Sequence, residues 1–183
     1  MKKELQIINV ENQHFTFQGI PLEGSLNKFV KKLQKKGYIL EFEGECNARL
    51  TGKFANSDVM LLVASTPISD EVYQVMVFFV ENIWSNAKNR YLKFKDMLSK
   101  KYGDFSDIAE VFFDPYYEGD GYEFTAIRMG EGAYYSRIDL PLGSVSVQIV
   151  SSDEDDGVVL AYNDFENYQM YESENDDIAF NDI

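Results

Sequence analysis

Two side chains, His14 and Cys46, are the natural starting points in a search for chemistry, because the sequence holds one histidine and one cysteine. Zinc and copper sites take several imidazole or thiolate ligands, so this composition argues against them. A catalytic Cys46–His14 pair would need the two side chains to meet, and nothing in their spacing predicts such a contact. We therefore predict a buried, unreactive thiol at Cys46 and an ordinary edge-strand residue at His14.

Carboxylates are abundant, with 31 acidic residues in the chain. Residues 153–157 (Asp-Glu-Asp-Asp-Gly) could hold a hard cation, but they lack the twelve-residue loop and closing bidentate glutamate of a calcium site. A solvated hairpin turn is the better interpretation. Glu41, Glu43 and Glu45 could form pairs of the kind that hydrolyse sugars, yet their alternation along one strand predicts a solvent-facing side instead.

Motifs that cradle phosphate or activate a serine are absent from the sequence. There is no Walker-type run and no Gly-x-Ser-x-Gly elbow, while Gly119-x-Gly121 and Gly130-x-Gly132 have the spacing of hairpin turns. The sequence therefore predicts no metal and no cofactor. A catalytic site built from residues scattered along the chain would escape a motif search, so an enzyme remains the alternative to a binding protein.

The net charge of −14 is concentrated at one end of the chain. Residues 151–183 carry eleven carboxylates and no lysine or arginine, whereas residues 1–150 hold 17 basic and 20 acidic residues. An acidic surface repels phosphate, which argues against nucleic acid and anionic membrane as partners. The acidity favours solubility or, as a sharper alternative, a basic protein partner.

The predicted location is cytoplasmic. No apolar run approaches the roughly 20 residues that span a bilayer. Residues 1–10 open with two lysines, but polar residues interrupt their apolar stretch, so they make a poor secretory signal. A secreted or periplasmic location would follow if a signal segment has been removed.

A nine-residue motif, Lys-Phe-x-x-x-Leu-x-Lys-Lys, occurs twice, beginning at Lys28 and again at Lys93. Each copy is followed by a glycine next to a tyrosine. Apolar residues at helical spacing, with Ser25 as N-cap, predict a helix over 25–36 in the first copy. The second copy predicts a helix over 85–102. A supersecondary unit that occurs twice in the sequence predicts a two-repeat fold.

Short alternating or apolar segments follow each helix and predict antiparallel strands. The predicted strands are Tyr38–Cys46, Ala48–Phe54, Asp58–Ala64 and Val72–Val80 after the first helix, and Ile108–Phe113, Tyr122–Met129, Tyr134–Asp139, Ser144–Val150 and Val158–Tyr162 after the second. The nearly continuous apolar runs at 58–64 and 72–80 predict central strands that are covered on both faces. Residues 166–183 show no apolar period and are predicted to have no regular structure.

These elements predict an α+β fold: two helix-plus-antiparallel-meander repeats form one extended antiparallel sheet with both helices on one face. The predicted organisation is an N-terminal segment (1–23), a first repeat (24–84), a second repeat (85–165) and an acidic C-terminal tail (166–183). A sheet covered on one side leaves its other face to water or to a partner.

Six aromatic residues of the second repeat are candidates for binding at that uncovered face. They are Tyr116, Tyr117, Tyr122, Phe124, Tyr134 and Tyr135. Tyrosine rings that point outward from a sheet are typical of protein interfaces. At Tyr134-Tyr135 one ring must point inward and the other outward. The alternative is that these rings pack as cross-strand pairs or lie beneath the N-terminal segment.

The run Phe-x-Phe-x-Gly-Ile-Pro-Leu-x-Gly-Ser-Leu from Phe15, with the helix and Gly37-Tyr38 after it, resembles the start of uncharacterised bacterial proteins of the gut-anaerobe type. Segments 91–103 and 159–164 resemble the same family, which has no assigned activity and so implies no catalytic residue. The duplicated layout is also similar to the tandem-repeat fold of beta-lactamase inhibitor protein. That secreted protein has disulfides and presents a concave sheet to an enzyme. With one cysteine in this chain, the resemblance implies the architecture alone.

The function predicted from these features is a non-enzymatic protein-binding module, inhibitor-like or adaptor, that uses the open sheet face. The alternative is a small-molecule-binding protein or enzyme with a site between sheet and helices. A further alternative is a homo-oligomer that buries the tyrosine-rich face against a second copy.

Overall fold

A computed structural model describes residues 13–181 of the chain. The elements are β1 (Thr16–Phe17), β2 (Ile20–Pro21), α1 (Leu26–Lys35), β3 (Ile39–Glu43), β4 (Asn47–Phe54), β5 (Ser57–Ser65), β6 (Val72–Val80), α2 (Trp84–Tyr102), β7 (Asp107–Phe112), α3 (Glu123–Arg128), β8 (Gly132–Leu140), β9 (Gly143–Ser151), β10 (Asp156–Asp164) and α4 (Phe165–Asn181). The prediction that residues 1–10 are not a secretory signal concerns residues outside this range.

Eight strands form one antiparallel sheet in the order β3-β4-β5-β6-β10-β9-β8-β7. Helix α1 is followed by the meander β3 to β6, and helix α2 by β7 to β10. The last strands of the two meanders, β6 and β10, pair at the centre of the sheet. The α+β class and the single extended antiparallel sheet are thus confirmed. The duplication of the sequence itself remains a prediction.

Helices α1 and α2 pack against the same face of this sheet. Phe29 and Leu33 of α1 and Phe94 and Leu98 of α2 are buried in a single apolar cluster. Alternate residues of the central strands complete that cluster, among them Leu50, Leu61, Val75, Val77, Phe79, Val147, Val158 and Leu160. The helix stripes at i, i+4 spacing and the two-residue period of the strands therefore meet in one core.

The loop between β5 and β6 holds the start of α1 in place. Ser25 occupies the N-cap position, as predicted, but its side chain makes no capping hydrogen bond. Instead, the amide of Leu26 donates to Asp70 Oδ1 at 3.0 Å, and the amide of Gly24 donates to Glu71 Oε2. Asp70 satisfies an amide that the helix N-terminus leaves without an intrahelical acceptor, and the charge of both carboxylates suits the helix dipole.

The strand predicted at Tyr122–Met129 is wrong, because residues 123–128 form helix α3. Glu123 and Ala126 are buried three residues apart, and Ile127 packs beside them against the core. That spacing is helical, but six residues are too few for the period to stand out in the sequence. Gly130, with a φ of 77°, follows the helix and ends it.

Residues 165–181 form helix α4, so the prediction that this segment has no regular structure is wrong. Asp164 caps the helix, because its Oδ1 accepts the amide of Asn167 at 3.0 Å. The side chain of Asn167 is buried and donates to the carbonyls of Leu22 at 2.9 Å and Val72 at 3.0 Å. The buried side of α4 is thus partly polar, which explains why its sequence shows no apolar period.

Candidate functional site

The face of the sheet away from α1 and α2, here called the open face, is formed by the other alternate residue of each strand. Antiparallel pairing aligns these side chains in rows that run across the sheet. One row contains Met60, Phe78, Val159, Gln148 and Tyr135, and the next contains Leu62, Met76, Ala161, Ser146 and Arg137. The rows change from apolar to polar between β10 and β9.

Six side chains on the first half of these rows, together with Val80 and Val150 of the adjacent row, make a contiguous apolar patch. The apolar patch consists of Met60, Leu62, Met76, Phe78, Val80, Val150, Val159 and Ala161. Six of its members cluster by direct contact. No described helix other than α4 reaches the open face, and α4 crosses it at the far end of β6 and β10. Within residues 13–181, the cover predicted on both faces of β5 and β6 is provided on the open face by α4 at one end.

Phe78 is the centre of the apolar patch. It is 8% exposed, because neighbouring side chains surround it on the sheet. Its ring lies over Gly157: a Cβ at that glycine would come within 2.8 Å of the Phe78 ring and 2.2 Å of the Phe79 carbonyl oxygen. The absence of a side chain at Gly157 lets the aromatic ring lie close to the backbone of β10.

The apolar patch ends at a group of carboxylates. Strands β9 and β10 are joined by residues 152–155, here called the acidic turn, which contains Asp153, Glu154 and Asp155. The amides of Glu154 and Asp155 both donate to Ser152 Oγ, and the amide of Ser152 donates to the carbonyl of Asp155. These bonds hold the turn in one shape. All four of its residues are exposed.

At the opposite end of the patch, α4 lies against polar residues of the open face. Phe165 and Tyr168 line a small cavity of about 160 Å³ together with Gln74, Ser144 and Asn163. Gln74 Nε2 donates to Asn163 Oδ1 at 2.7 Å, so these amides are partnered across β6 and β10. The open face is therefore bounded by α4 at one end and by the acidic turn at the other.

The predicted pair Tyr134-Tyr135 divides between the two faces as alternation requires. Tyr134 is buried on the helix side, with its ring 5.2 Å from that of Trp84. Its hydroxyl donates to Glu118 Oε2 at 2.9 Å, and Lys88 binds the same carboxylate. Tyr135 lies on the open face, partly exposed, between Gln148 and Ala109 of the neighbouring strands.

The surroundings of the Tyr134 hydroxyl shift its pKa. Burial raises the pKa of Tyr134, and the hydrogen bond to Glu118 raises it further. The bond from Lys88 lowers the pKa of Glu118, so the carboxylate stays ionised and the phenol stays protonated near neutral pH. Tyr134 therefore acts as a structural hydrogen-bond donor that ties β8 to the segment after β7.

The other four predicted site residues lie off the sheet. Tyr116 and Tyr117 belong to the connection between β7 and α3, and Tyr122 immediately precedes α3. Tyr117 and Tyr122 are 65% and 62% exposed. Phe124 packs instead against Trp84 on the helix side. The six residues are thus not brought together on one surface, and among them the open face carries Tyr135.

The residues that do form the open face were missed for a specific reason. Met60 and Met76 sit in the continuous apolar runs at 58–64 and 72–80, and such runs predict strands that are covered on both faces. A signal was present: the sequence predicts both helices on one face, so continuous apolar strands at the centre must leave one apolar side without a helix. Combining these two predictions would have located the patch.

A second depression lies between α1 and α4 and has a volume of about 530 Å³. Lys28 and Lys32 line one part of it and Glu166 another, with His14 at its border. His14 Nδ1 lies 3.2 Å from Asp164 Oδ2, which also accepts the amide of Phe15. No residue lining this groove carries a hydroxyl or thiol, so the His14–Asp164 pair has no such nucleophile beside it.

Cysteine and metal chemistry gain no further support within residues 13–181. Cys46 is partly exposed rather than buried as predicted, and it precedes β4 in a connection of the sheet. Across the described residues there is no group of three or more histidine, cysteine or carboxylate side chains placed to hold a metal ion. In that same part of the chain, no helix combines the length and apolar character needed to cross a membrane.

Comparisons with protein-family models, with curated protein sequences and with solved structures find no match to this chain. They neither support nor contradict the resemblances given by the sequence. Inference about function therefore depends on the open face and its surroundings.

Proposed function

We propose that this protein is a non-enzymatic module that binds another protein on the open face of its sheet. The observation that carries the proposal is the apolar patch, which straddles the two central strands and on which no described helix packs. Val80 at its border is 52% exposed, four further members are partly exposed, and Phe78, Val159 and Ala161 at its centre are buried among the others. A contiguous apolar surface on which no helix packs is one feature of interaction sites.

The dimensions of the patch suit the centre of an interface. It spans β5, β6, β10 and β9, which is roughly 14 Å at 4.8 Å per strand, and a similar length along them. This area, about 200 Å², is smaller than the roughly 800 Å² that each partner buries in a stable complex. The polar rows beside it, with Tyr135 and Arg137, would supply the rim.

The methionines support this assignment. Met60 and Met76 both pack against the cluster that contains Phe78. Methionine side chains are flexible and polarisable, and they are enriched where one surface adapts to a partner. A surface of this kind binds through shape and apolar contact, which requires no catalytic group.

Site-specific photo-crosslinking in the native cells tests the proposal. A benzoylphenylalanine at Met76 is expected to crosslink to a distinct protein, whereas the same probe at Lys93, exposed on α2, is not. The purified partner should lose at least tenfold in affinity for Met76→Lys and be unchanged for Lys93→Glu. Equal crosslinking from both positions, or a partner that binds Met76→Lys normally, would contradict the proposal.

A further inference from the structure

We infer that the occupant of the open face is a basic protein segment, with apolar side chains on the apolar patch and lysine or arginine at the acidic turn. This inference rests on the proposed function and adds the chemistry and the orientation of the partner. It follows from the position and the pairing of charges around the patch.

The acidic turn directly continues the apolar patch. Val150 and Gly157 pair across β9 and β10, and Gly157 also pairs with Val80. The turn begins two residues after Val150 and ends two residues before Gly157. At about 3.3 Å per residue, its carboxylates lie within about 7–10 Å of this last apolar row. One bound segment can therefore contact both surfaces.

Most of the charge of the turn is not neutralised by neighbours. Arg128 Nη1 contacts Asp153 at 3.1 Å, but the Asp153 side chain is 96% exposed, so this pair is weak. Glu154 and Asp155 form no ion pair with any residue in the range 13–181. Two free carboxylates and a third held loosely make this end of the face attractive to cations.

The open face also carries cations beside the patch, namely Arg49 and Lys53 of β4 and Arg137 of β8. Arg49 of β4 and Arg137 of β8 flank the row that contains Met76, on either side of the patch. Lys53 contacts Asp58 at 3.1 Å, and Arg137 Nε contacts Asp139 Oδ1 at 2.7 Å, so these cations already have acidic neighbours. The turn itself holds no lysine or arginine, so a partner can place its cations there.

The charge of the whole molecule acts in the same direction. A net charge of −14 attracts a basic partner over distances near the Debye length, about 10 Å at 0.1 M salt. The same charge repels a second copy of this chain and any acidic segment. Charge complementarity therefore selects a basic occupant over self-association on this face.

A random peptide library displayed on phage tests the inference. Peptides are selected on the full chain and counter-selected on the patch variant Met76→Lys, so that retained sequences need the open face. We expect retained peptides to combine a run of apolar residues with lysine or arginine at one end, at more than twice the library frequency. Retained peptides without an excess of basic residues would overturn the inference but leave the proposed function intact.

The turn is tested by charge removal in solution. A synthetic retained peptide should bind the triple variant Asp153→Asn, Glu154→Gln, Asp155→Asn about tenfold more weakly than the parent, because exposed pairs each contribute about 0.2–1 kcal/mol. The control Glu172→Gln, Asp176→Asn, Asp177→Asn removes the same charge from exposed positions of α4. Equal losses in both variants would show a general charge effect and overturn the assignment to the turn.

These experiments distinguish failure of the proposed function from failure of the inference about a basic segment. If no peptide distinguishes the parent from Met76→Lys, the open face is not a protein-binding surface, and the proposed function fails together with this inference. If peptides distinguish them and ignore the turn, only the inference fails. Nuclear magnetic resonance of the labelled chain with the retained peptide should shift amides of β6, β10 and residues 152–155 together.

Discussion

Phe78 and Phe79 are neighbours on β6, yet they belong to opposite faces of the sheet and are buried by different means. Phe79, 1% exposed, lies beneath α2 and contacts the rings of Phe54 and Phe94. Phe78, 8% exposed, is surrounded by strand neighbours without a helix above it. Low exposure in a wide sheet therefore does not by itself mean that another element covers the residue.

The largest expected effect on stability comes from truncating Phe79, the ring that α2 covers. Phe79→Ala should lower the free energy of unfolding by about 3–5 kcal/mol, because it leaves a cavity between sheet and helix. Phe78→Ala should cost about 1–2 kcal/mol, since water can occupy the space on the open face. Chemical denaturation of both variants measures the difference. Equal losses would mean that the open face is covered in solution.

A smaller effect is expected at the end of the sheet where α4 crosses. Asn167→Ala should cost about 2–3 kcal/mol, because two buried carbonyls, of Leu22 and Val72, lose their donor. The exposed neighbour Gln169→Ala serves as the control, with a change within about 0.5 kcal/mol. A small loss for Asn167→Ala would show that α4 is not held at this point.

The attachment of α4 should also depend on pH. Burial raises the pKa of Glu174, but hydrogen bonds from the Ser69 hydroxyl and from the amides of Ile68 and Ser69 outweigh it, so the pKa lies below its usual 4.5. A lowered pKa contributes stability above pH 4.5 that is lost as the pH falls through the value of the folded protein. We expect Glu174→Gln to cost about 1 kcal/mol at pH 7.

Chemical denaturation of the parent and of Glu174→Gln at a series of pH values from 7 to 3 measures this pH dependence. The gap between the parent and Glu174→Gln should narrow steadily below pH 4.5. Glu172→Gln, exposed on the same helix, should follow the parent throughout. A gap that stays constant in acid would assign the effect to lost packing instead of lost charge.

The smallest expected effect is that of a substitution at Val80, at the border of the open face. Val80→Thr replaces a half-exposed apolar residue by one of similar shape, and the free energy of unfolding should change by less than about 0.5 kcal/mol. The same substitution at Val77, which is fully buried under the helices, should cost more than about 1 kcal/mol. Matched losses at the two positions would contradict the distinction between the faces.

Much of the sheet could be predicted from the sequence, because its signals are local. Alternation and apolar runs located β4, β5, β6, β8, β9 and β10, and the stripe with Phe29 located α1. Helix α4 could not be found in this way, since it is held by Asn167 and Glu174, whose partners lie 95–145 residues away in the sequence. Hydropathy does not report a helix that is attached through hydrogen bonds.

The candidate site was predicted less well than the fold. The high tyrosine content of residues 116–122 predicts a binding surface there, but these residues belong to a connection and not to a strand. The position of a ring relative to the sheet depends on where each strand begins, and the short helix α3 removed one predicted strand from that region. Tyr135 was recovered because strict alternation in β8 fixes its face.

The central pairing of β6 with β10 has a consequence for synthesis on the ribosome. Strand β6 ends at Val80, and its partner β10 begins at Asp156, about 80 residues later in translation. At about 5–20 residues per second, the nascent first half exposes the bare edge of β6 for roughly 4–16 s. An apolar strand edge that stays unpaired for that time is the kind of surface that molecular chaperones bind.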